Sequence, residues 1–472
     1  MTKILSAAVA AVVIATGPVY AATIYGGPTY DASTGTGYTS PSLTFNPGGT
    51  AGNGSGVGSA QKQVAGTDLG TRAFRWDATG APAIELGTLG TNASNVTQSR
   101  AVAISANGTT IGHASKYTDN TSRGLRADRW DAGGTAATEL DTLGTDANGS
   151  TSAEAYAVNA SGTAVGYSQK FVDGTSQGQR AVRWNAGGTT AIELGTIGDP
   201  NNASSQAYAV SANGTVVGIG STPNGVRAVR WDAGGTAATE LETLGTSIYG
   251  LSTGFAVAVN DDGTTVGFGR KWVGTAFGTR AIRWDAAGTA ATELGELGTG
   301  NPNPTFPSQA VDINNAGTAV GYANKYTDGS RIGTRAVRWD ADTTTATELG
   351  GLGNVSDDSR ANAINENGLA VGYTLKYDGA TLVGRRAVLW ELDGSAIDLN
   401  TLLSLSDAAS WTLVEARGIS DTNWVTGTGA FDPDGLGPTQ AYTRAFLIQV
   451  PEPTGLAALA ALAVPLARRR RR

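Results

Sequence analysis

The chain has 472 residues, and 67 of them are glycine, about twice the usual share. It contains no cysteine and one histidine, which excludes zinc fingers, thiolate enzymes, disulfide scaffolds and any mechanism that needs two histidines. Only 15% of the residues are charged, and small, turn-forming residues dominate. The composition therefore favours an all-β chain that is rich in tight turns.

Residues 1–21 have the pattern of a secretory signal peptide. Lys3 precedes an apolar run from Ile4 to Thr16, and the small-residue sequence Val19-Tyr20-Ala21 follows. We expect this segment to be helical and to be cleaved after Ala21. The absence of cysteine also suits an oxidising compartment, because no thiol is present to mispair.

Residues 22–450 consist of one unit repeated eight times. A block that begins with Arg-Ala and usually ends in Trp returns at intervals of 47 to 55 residues. The eight blocks occupy residues 72–76, 126–130, 180–184, 227–231, 280–284, 335–339, 386–390 and 444–448.

Each unit contains four short runs with the two-residue period of β-strands. In the third unit the runs are residues 155–159, 163–168, 180–184 and 190–198. Alternation within the third run places Arg180, Val182 and Trp184 on one face of the strand. Asn-Gly or a similar pair separates the first run from the second, as at Asn107-Gly108, and predicts a two-residue hairpin turn.

Four strands in about 50 residues, repeated eight times, predict a β-propeller of eight four-stranded blades. Residues 22–27 align with a fourth run and residues 54–60 with a second run, so the chain after the signal peptide starts on a fourth strand and ends on a third. The N-terminal strand can then complete the last blade and close the ring. Seven blades, or an open array of β-hairpins, remain the alternatives.

The order of motifs within the units resembles the HAF repeats of bacterial extracellular proteins. The last unit is similar to the ends of such proteins, in WTLVEARGIS (411–420) and AFLIQVPEP (445–453). The family's His-Ala-Phe is Arg-Ala-Phe or Arg-Ala-Val here, so a role for that histidine cannot be transferred. The resemblance implies an extracellular protein, and it implies no catalytic activity.

Residues that recur in every unit are interpreted as structural, because stacking of one blade on the next accounts for them. They include the tryptophans, the arginine of Arg-Ala, and the glutamates at positions 139, 240, 293 and 348. A single active site would have to use residues that break the pattern. No catalytic, cofactor-binding or metal-binding residue is assigned on these grounds.

Two kinds of residue break the pattern and are candidates for a catalytic or metal-binding site. His113 occupies a position held by Tyr167, Ile219, Phe268, Tyr322 and Tyr373 in other units, which favours a tolerated replacement over a general base. The acidic pairs Asp261-Asp262, Asp357-Asp358 and Asp432-x-Asp434 offer oxygen ligands for Ca²⁺, but they are also typical of turns.

The connections of the repeat differ in length in a regular way. Those between the second and third runs and between the fourth and the next first run vary, and in an antiparallel meander both sets fall on one rim. We hypothesise that this rim contacts a ligand or partner. Its aromatic candidates are Tyr117, Phe171, Trp272, Tyr326 and Tyr377.

The C-terminal segment, residues 451–472, has three parts in order. Pro451-Glu452-Pro453 is followed by an apolar stretch over residues 454–467 and by five arginines, 468–472. The stretch is shorter than the roughly 20 residues of a comfortable membrane span. Together the parts resemble a PEP-CTERM sorting tag. That resemblance implies a helical segment, transient insertion into the inner membrane, recognition by an exosortase-type sorting enzyme, and delivery to the surface or matrix of a Gram-negative-type bacterium.

Residues 22–450 carry 27 basic and 39 acidic side chains, a net charge of −12, which makes nucleic acid an unsuitable partner. The sequence therefore predicts a secreted, non-enzymatic binding or structural protein of the cell surface or exopolysaccharide matrix (biofilm). Its partners would be extracellular polysaccharide or a surface protein. The alternative is a propeller hydrolase or lyase that acts on such polysaccharide. Convergence of His113 and the off-consensus acids would favour the alternative, and scatter would favour the binding protein.

Overall fold

A computed structural model describes residues 22–26, 29–31, 36–42, 50–51, 54–199, 203–273, 275–298, 307–353, 358–435 and 441–451. The predictions for the signal peptide, its cleavage after Ala21, the motif residues Glu452 and Pro453, and the C-terminal helix lie outside these residues. Pro451, the first residue of the predicted sorting motif, is the last described residue and is exposed.

The described residues form eight separate β-sheets, which we number as blades 1 to 8. In each regular blade the four strands follow one another along the chain and pair antiparallel. Blades 2 to 4 consist of Ser99–Ile104, Thr110–Thr118, Thr121–Trp130 and Ala137–Glu139; of Ala153–Val158, Ala164–Val172, Thr175–Trp184 and Ala191–Glu193; and of Ser205–Val210, Val216–Thr222, Gly225–Trp231 and Ala238–Glu240. Blades 5 to 7 consist of Gly254–Val259, Thr265–Val273, Ala276–Trp284 and Ala291–Glu293; of Ser308–Ile313, Ala319–Thr327, Ser330–Trp339 and Ala346–Glu348; and of Ser359–Ile364, Ala370–Asp378, Thr381–Trp390 and Ala396–Asp398.

Blades 1 and 8 depart from the regular plan. Blade 1 consists of Tyr30–Asp31, Thr36–Ser42, Thr50–Ala51, Ser55–Val64, Thr67–Asp77 and Ile84–Glu85, and its second and third segments both pair with Ser55–Val64. Blade 8 consists of Trp411–Ile419, Trp424–Phe431, Tyr442–Gln449 and the N-terminal strand Ile24–Gly26. An extra strand, Leu297–Gly298, pairs parallel with the second strand of blade 6.

Helix is confined, within the described chain, to the connection from blade 7 to blade 8. A 3₁₀ turn covers Leu399–Leu402, and an α-helix covers Leu405–Ser410 after an N-cap at Ser404, whose hydroxyl accepts the Asp407 N–H at 3.1 Å. Neither helix has the length and hydrophobicity that crossing a bilayer requires.

The blades stack face to face around a ring, with the first strand of each blade innermost, since the first strands of successive blades contact one another. The buried apolar residues form eight clusters, one at each interface between neighbouring blades. In blade 3, Val182 and Trp184 pack against blade 2, whereas Ala181 packs against blade 4. The predicted alternation is confirmed, and both of its faces are buried.

The N-terminal strand closes the ring as predicted. Ile24–Gly26 pairs antiparallel with the third strand of blade 8, and Ile24 lies opposite Ile448. Ala445 and Leu447 of that blade then pack against Phe74 and Trp76 of blade 1. The prediction of eight blades is confirmed, and the seven-bladed and open alternatives are wrong.

The turns between first and second strands differ from the prediction. In blade 2 the Ser105 N–H donates to the carbonyl of Thr109, and Gly108 N–H donates to the carbonyl of Ser105. The loop therefore has three residues, 106–108, and ends on Gly108 at φ +87°. The backbone twist of a two-residue type I turn does not match the right-handed twist of the flanking strands, and a left-handed residue after the turn relieves this mismatch. Glycine adopts the left-handed conformation without strain.

The connections between second and third strands also differ from the prediction. Residues 168–179, predicted as a loop, continue both strands into a two-stranded ribbon that turns at Asp173 (φ +50°) and Gly174 (φ +74°). The connection from blade 2 to blade 3 packs against this ribbon, where Phe171 N–H donates to the Leu143 carbonyl. We call this edge, with all such ribbons and connections, the ribbon rim.

The other two sets of turns meet at the opposite edge, the turn rim. In blade 3, a Cβ placed on Gly162 of the first turn would contact Ala186 of the turn between the third and fourth strands. The predicted separation into one edge of short turns and one edge of variable connections is therefore confirmed.

A buried acid interrupts the apolar interface between blades 1 and 2. Asp128 is fully buried where blade 3 has Val182, and neither carboxylate oxygen has a hydrogen-bond partner among the described residues. Burial raises the pKa of Asp128 well above its usual value, and the charge of Glu139 adds to the rise. The carboxyl is therefore protonated in the folded protein at a pH where the unfolded chain ionises it.

We predict that Asp128→Val stabilises the protein. Because the unfolded chain releases the proton near pH 4, the cost of folding at Asp128 grows as the pH rises above that value. The variant should gain about 1–3 kcal/mol in free energy of unfolding at pH 7 and less at pH 4, as measured by urea denaturation. The matched control Val182→Asp should lose stability over the same range. A loss of stability in Asp128→Val at pH 7 would contradict the prediction.

Candidate functional site

The repeated charged residues form one ion-pair arrangement inside each of blades 1 to 6. In blade 2 Glu139 lies 3.1 Å from Arg126 Nε and 2.6 Å from Lys116 Nζ. The same arginine donates to the Thr151 carbonyl at 2.9 Å, in the connection to blade 3. Equivalent arginine–glutamate pairs join residues 72 and 85, 180 and 193, 227 and 240, 280 and 293, and 335 and 348.

The repeated tryptophans link neighbouring blades. Trp184 is buried, and its indole N–H donates to the Asp141 carbonyl of blade 2 at 3.0 Å. The same bond, at 2.7 to 3.0 Å, joins Trp130 to Gly87, Trp231 to Gly195, Trp284 to Glu242, Trp339 to Gly295 and Trp390 to Gly350. The repeated residues thus take part in contacts within and between blades, as the sequence predicts.

The aromatic residues predicted on the ribbon rim have different environments. Tyr326 is buried, with 3% of its surface exposed, and Trp272 packs against Phe277 with ring centroids 4.7 Å apart. Strongly exposed apolar side chains of this rim include Tyr249 and Ile248, at 79% and 65%. They lie in the connection from blade 4 to blade 5, next to the shortest ribbon, and the sequence analysis did not single them out.

The off-consensus acids do not converge. Asp261 lies on the turn rim, where it accepts hydrogen bonds from Ala212 N–H at 2.7 Å and Asn315 Nδ2 at 2.8 Å and so ties blades 4, 5 and 6 together. Asp358 accepts the Thr334 N–H at 2.7 Å. Asp357 lies outside the described residues. Over the described ranges, no three acidic or histidine side chains are placed to hold a metal ion.

His113 contacts residues that the sequence analysis did not connect with it. It lies on the second strand of blade 2 with 14% of its side chain exposed, and its Nδ1 is 3.4 Å from Glu154 Oε2 of blade 3. Burial lowers the pKa of His113; the negative charge of Glu154 partly opposes this, and the positive charge of Arg100 adds to it. The imidazole is therefore neutral at pH 7.

Three tyrosines extend this group along the inner wall of the ring. Tyr167 donates to Glu154 Oε1 at 2.9 Å, and its ring lies 5.7 Å from that of Tyr156, which lies 6.0 Å from that of Tyr208 in blade 4. Burial raises the pKa of Tyr167 and Tyr208 to about 12 and raises the pKa of Tyr156 as well. All three phenols keep their protons at neutral pH, and Tyr167 and Tyr208 donate theirs to Glu154 and Gln206, each at 2.9 Å. The cluster presents aromatic surface and polar oxygens to a polar ligand.

His113 and Glu154 belong to a set of paired positions, one pair in each of blades 2 to 8, that varies while its neighbours do not. Each pair joins one residue of the first strand to its partner on the second strand. The pairs are Arg100 and His113, Glu154 and Tyr167, Gln206 and Ile219, Phe255 and Phe268, Gln309 and Tyr322, Arg360 and Tyr373, and Glu415 and Thr428. We call this set the paired ring.

The paired ring lies between fixed positions. In blade 3, Ala155 and Gly166 form the next pair, and alanine and glycine recur there in each of blades 2 to 8. The sequence analysis aligned the second-strand members of the pairs in blades 2 to 7 and missed the first-strand members. A comparison of the units position by position would have found it, because the residue before the invariant alanine changes from unit to unit.

The two described ends of the chain lie together on the turn rim. Val450 N–H donates to the carbonyl of Asn423, which lies in the first turn of blade 8. Ala22, Asn423 and Pro451 line an open depression of about 640 Å³ at this place. Both ends therefore leave the ring on the edge opposite the ribbons.

We predict a measurable electrostatic coupling between His113 and Glu154. Because the negative charge of Glu154 raises the pKa of the imidazole, Glu154→Gln should lower the pKa of His113 further, whereas Arg100→Gln should raise it. The chain has a single histidine, so its ring-proton NMR signal gives this pKa without assignment in an untagged protein. A wild-type value at or above 6.5 would contradict the buried environment.

Comparison with known proteins identifies the family. A model described as "Protein of unknown function (DUF3466)" matches residues 55–234 and 204–384, which together cover more than half of the chain. A search of curated proteins finds no match.

Solved structures with a similar shape are distant in sequence. The β-propeller domain of the Trilobed protease from Pyrococcus furiosus has 9% identity and a TM-score of 0.41, over 71% of this chain and 89% of that chain. A mutant puromycin hydrolase complexed with PGG has 13% identity and a TM-score of 0.43, over 83% and 59%. A protein of unknown function from Dyadobacter fermentans has 11% identity and a TM-score of 0.32, over 91% and 98%. Similarity at this level says nothing about the activity of this chain. By its sequence, the chain belongs to the DUF3466 family.

Proposed function

We propose that this protein is a secreted, non-enzymatic binding module that is sorted to the cell surface or the exopolysaccharide matrix and binds polysaccharide there. One observation supports the proposal above all others. The repeated residues join the blades, and variation is concentrated on the ribbon rim and in the paired ring. A surface that varies while its scaffold repeats is the arrangement of a recognition module.

The position of the chain ends supports surface display. Ala22 follows the predicted cleavage position, and Pro451 begins the predicted sorting motif; both lie on the turn rim. A tether attached there would direct the ribbon rim away from the membrane. Delivery by an exosortase-type enzyme remains part of the proposal.

The chemistry of the varied surface suits polysaccharide. Tyr156, Tyr167 and Tyr208 provide ring surface and phenol oxygens that can accept hydrogen bonds, and Gln206 provides an amide that bonds Gln179 at 2.6 Å. Sugars present hydroxyl groups and apolar ring faces, and side chains that combine aromatic surface with a polar group match both.

The test is binding of residues 22–451 to a panel of acidic and neutral polysaccharides. Replacing the ribbon tip of blade 3, residues 170–177, with the short tip of blade 4, residues 222–224, should weaken binding of a recognised polymer at least tenfold. The thermal unfolding temperature should stay within a few degrees.

The matched control exchanges turns on the opposite rim. Residues 131–134 of blade 2 are replaced by the equivalent Asn-Ala-Gly-Gly of residues 185–188, and binding should not change. Failure of the wild-type protein to bind any polymer of the panel would refute the proposed function.

The second candidate function is hydrolysis or elimination of extracellular polysaccharide. It is supported by the contact of the neutral His113 with Glu154 and by the bond of Glu154 to Tyr167, since such groups can move a proton. If this candidate is right, His113→Gln should reduce turnover at least about 100-fold, while Asp131→Asn, on the turn rim of blade 2, should not. The assay is the appearance of new reducing ends or of an unsaturated product. If the wild-type protein shows no turnover, this candidate function is wrong.

A further inference from the structure

Two arginines of blade 7 differ from the repeated arginines of the chain. Arg360 and Arg385 are both exposed, and neither forms an ion pair or a side-chain hydrogen bond with the described residues. The arginines of the Arg-Ala blocks in blades 1 to 6 are instead buried, each with a glutamate within 3.4 Å. Cations without partners are unexpected in a domain with net charge −12.

Each of these guanidinium groups lies over the ring of a tyrosine. The Arg360 Cζ is 4.2 Å from the ring centroid of Tyr322 in blade 6, and the Arg385 Cζ is 4.2 Å from that of Tyr373 in blade 7. Both tyrosines are at least nine-tenths buried and belong to the paired ring. The two cations therefore lie over buried rings at neighbouring positions of the paired ring.

Two carboxylates of blades 7 and 8 already have partners within the described chain. Glu415, the paired-ring residue of blade 8, is 3.1 Å from Arg417 and also accepts a hydrogen bond from Asn362. Asp358, two residues before Arg360, accepts the backbone N–H of Thr334. The chain thus supplies other partners to these acids and leaves Arg360 and Arg385 to an external anion.

A guanidinium that lies over an aromatic ring keeps its N–H groups at its edge, where they can bind a carboxylate with two parallel hydrogen bonds. Both groups extend from blade 7, one over a ring of blade 6 and one over a ring of its own blade, and together they suit a polymer that carries carboxylates at intervals. The neighbouring amide of Gln309 on the first strand of blade 6 can bond sugar hydroxyls.

We propose that Arg360 and Arg385 form a binding site for the carboxylates of a uronic-acid polysaccharide on the inner wall of blades 6 and 7. This inference rests on the proposed function and specifies its ligand. It predicts that acidic polysaccharides are preferred over neutral ones despite the overall negative charge of the domain.

The test measures binding of residues 22–451 to polygalacturonate, dextran and poly-glutamate at low and physiological salt. We expect polygalacturonate to bind more tightly than the other two polymers and to weaken as salt is raised. The double variant Arg360→Gln, Arg385→Gln should weaken its binding at least tenfold, and Arg360→Lys, which keeps the charge without the planar fork, should also weaken it.

Arg338→Gln is the matched control, because it removes the same charge on the turn rim of blade 6, where Arg338 Nε lies 2.9 Å from Asp340 Oδ1. Its binding should equal that of the wild type, and all variants should keep the wild-type unfolding temperature. A variant that unfolds early is replaced by Arg360→Ala or Arg385→Ala alone.

The outcomes separate the two proposals. If polygalacturonate binds equally well to the wild type and the double variant, or if only dextran binds, the site is wrong and the proposed function stands. If poly-glutamate binds as tightly as polygalacturonate, the ligand is not a uronate and the inference is wrong. If no polysaccharide of the wider panel binds, both proposals are wrong.

Discussion

Each blade of this protein is a small sheet with two apolar faces, and it can bury them only against its two neighbours. Alanines such as Ala155 and Ala181 let the sheets approach closely, and large tryptophans such as Trp184 fill the space that widens away from the axis. The eight buried clusters at the eight interfaces follow from this constraint. A ring satisfies every face, whereas an open row would leave two faces exposed to water.

The same constraint explains the division between fixed and variable positions. A residue that contacts the next blade must be compatible with that blade, so a change is tolerated mainly where contact ends. The ribbons extend beyond the contact area between blades, and the paired ring joins neighbouring blades through side-chain contacts that differ from one interface to the next. Variation at these two places leaves the repeated stacking contacts intact.

Much of the fold could be predicted from sequence because the same pattern of four strands recurs in eight units. Arg-Ala-x-x-Trp marks the third strand, and the start of the chain on a fourth strand predicts how the ring closes. The local details were less accessible. A two-residue turn at Asn107-Gly108 and the three-residue turn observed there differ by one hydrogen bond, which residue identity does not determine. Residues 168–179 contain turn-forming residues at both ends, so strand pairing inside them was not recognised.

The candidate site was the least predictable part. Glu154 and His113 are 41 positions apart in the chain and belong to different blades, and only the packing angle of the blades brings them to 3.4 Å. Likewise the sequence gives no sign that Arg360 differs from an ordinary surface residue. Only the structure shows that its guanidinium lies over Tyr322 of the preceding blade. Contacts of this kind depend on side-chain directions across an interface, and one sequence carries no record of them.

The closing strand of blade 8 also affects how the ring responds to a pulling force. Ile24–Gly26 pairs over three residues, whereas Tyr442–Gln449 pairs over eight with its other neighbour. A pulling force applied at residue 451 would therefore act on a strand with eight paired residues, while the same force at residue 22 would act on a strand with three. A molecule held by its C-terminal end resists detachment from its support better than one held by its N-terminal end.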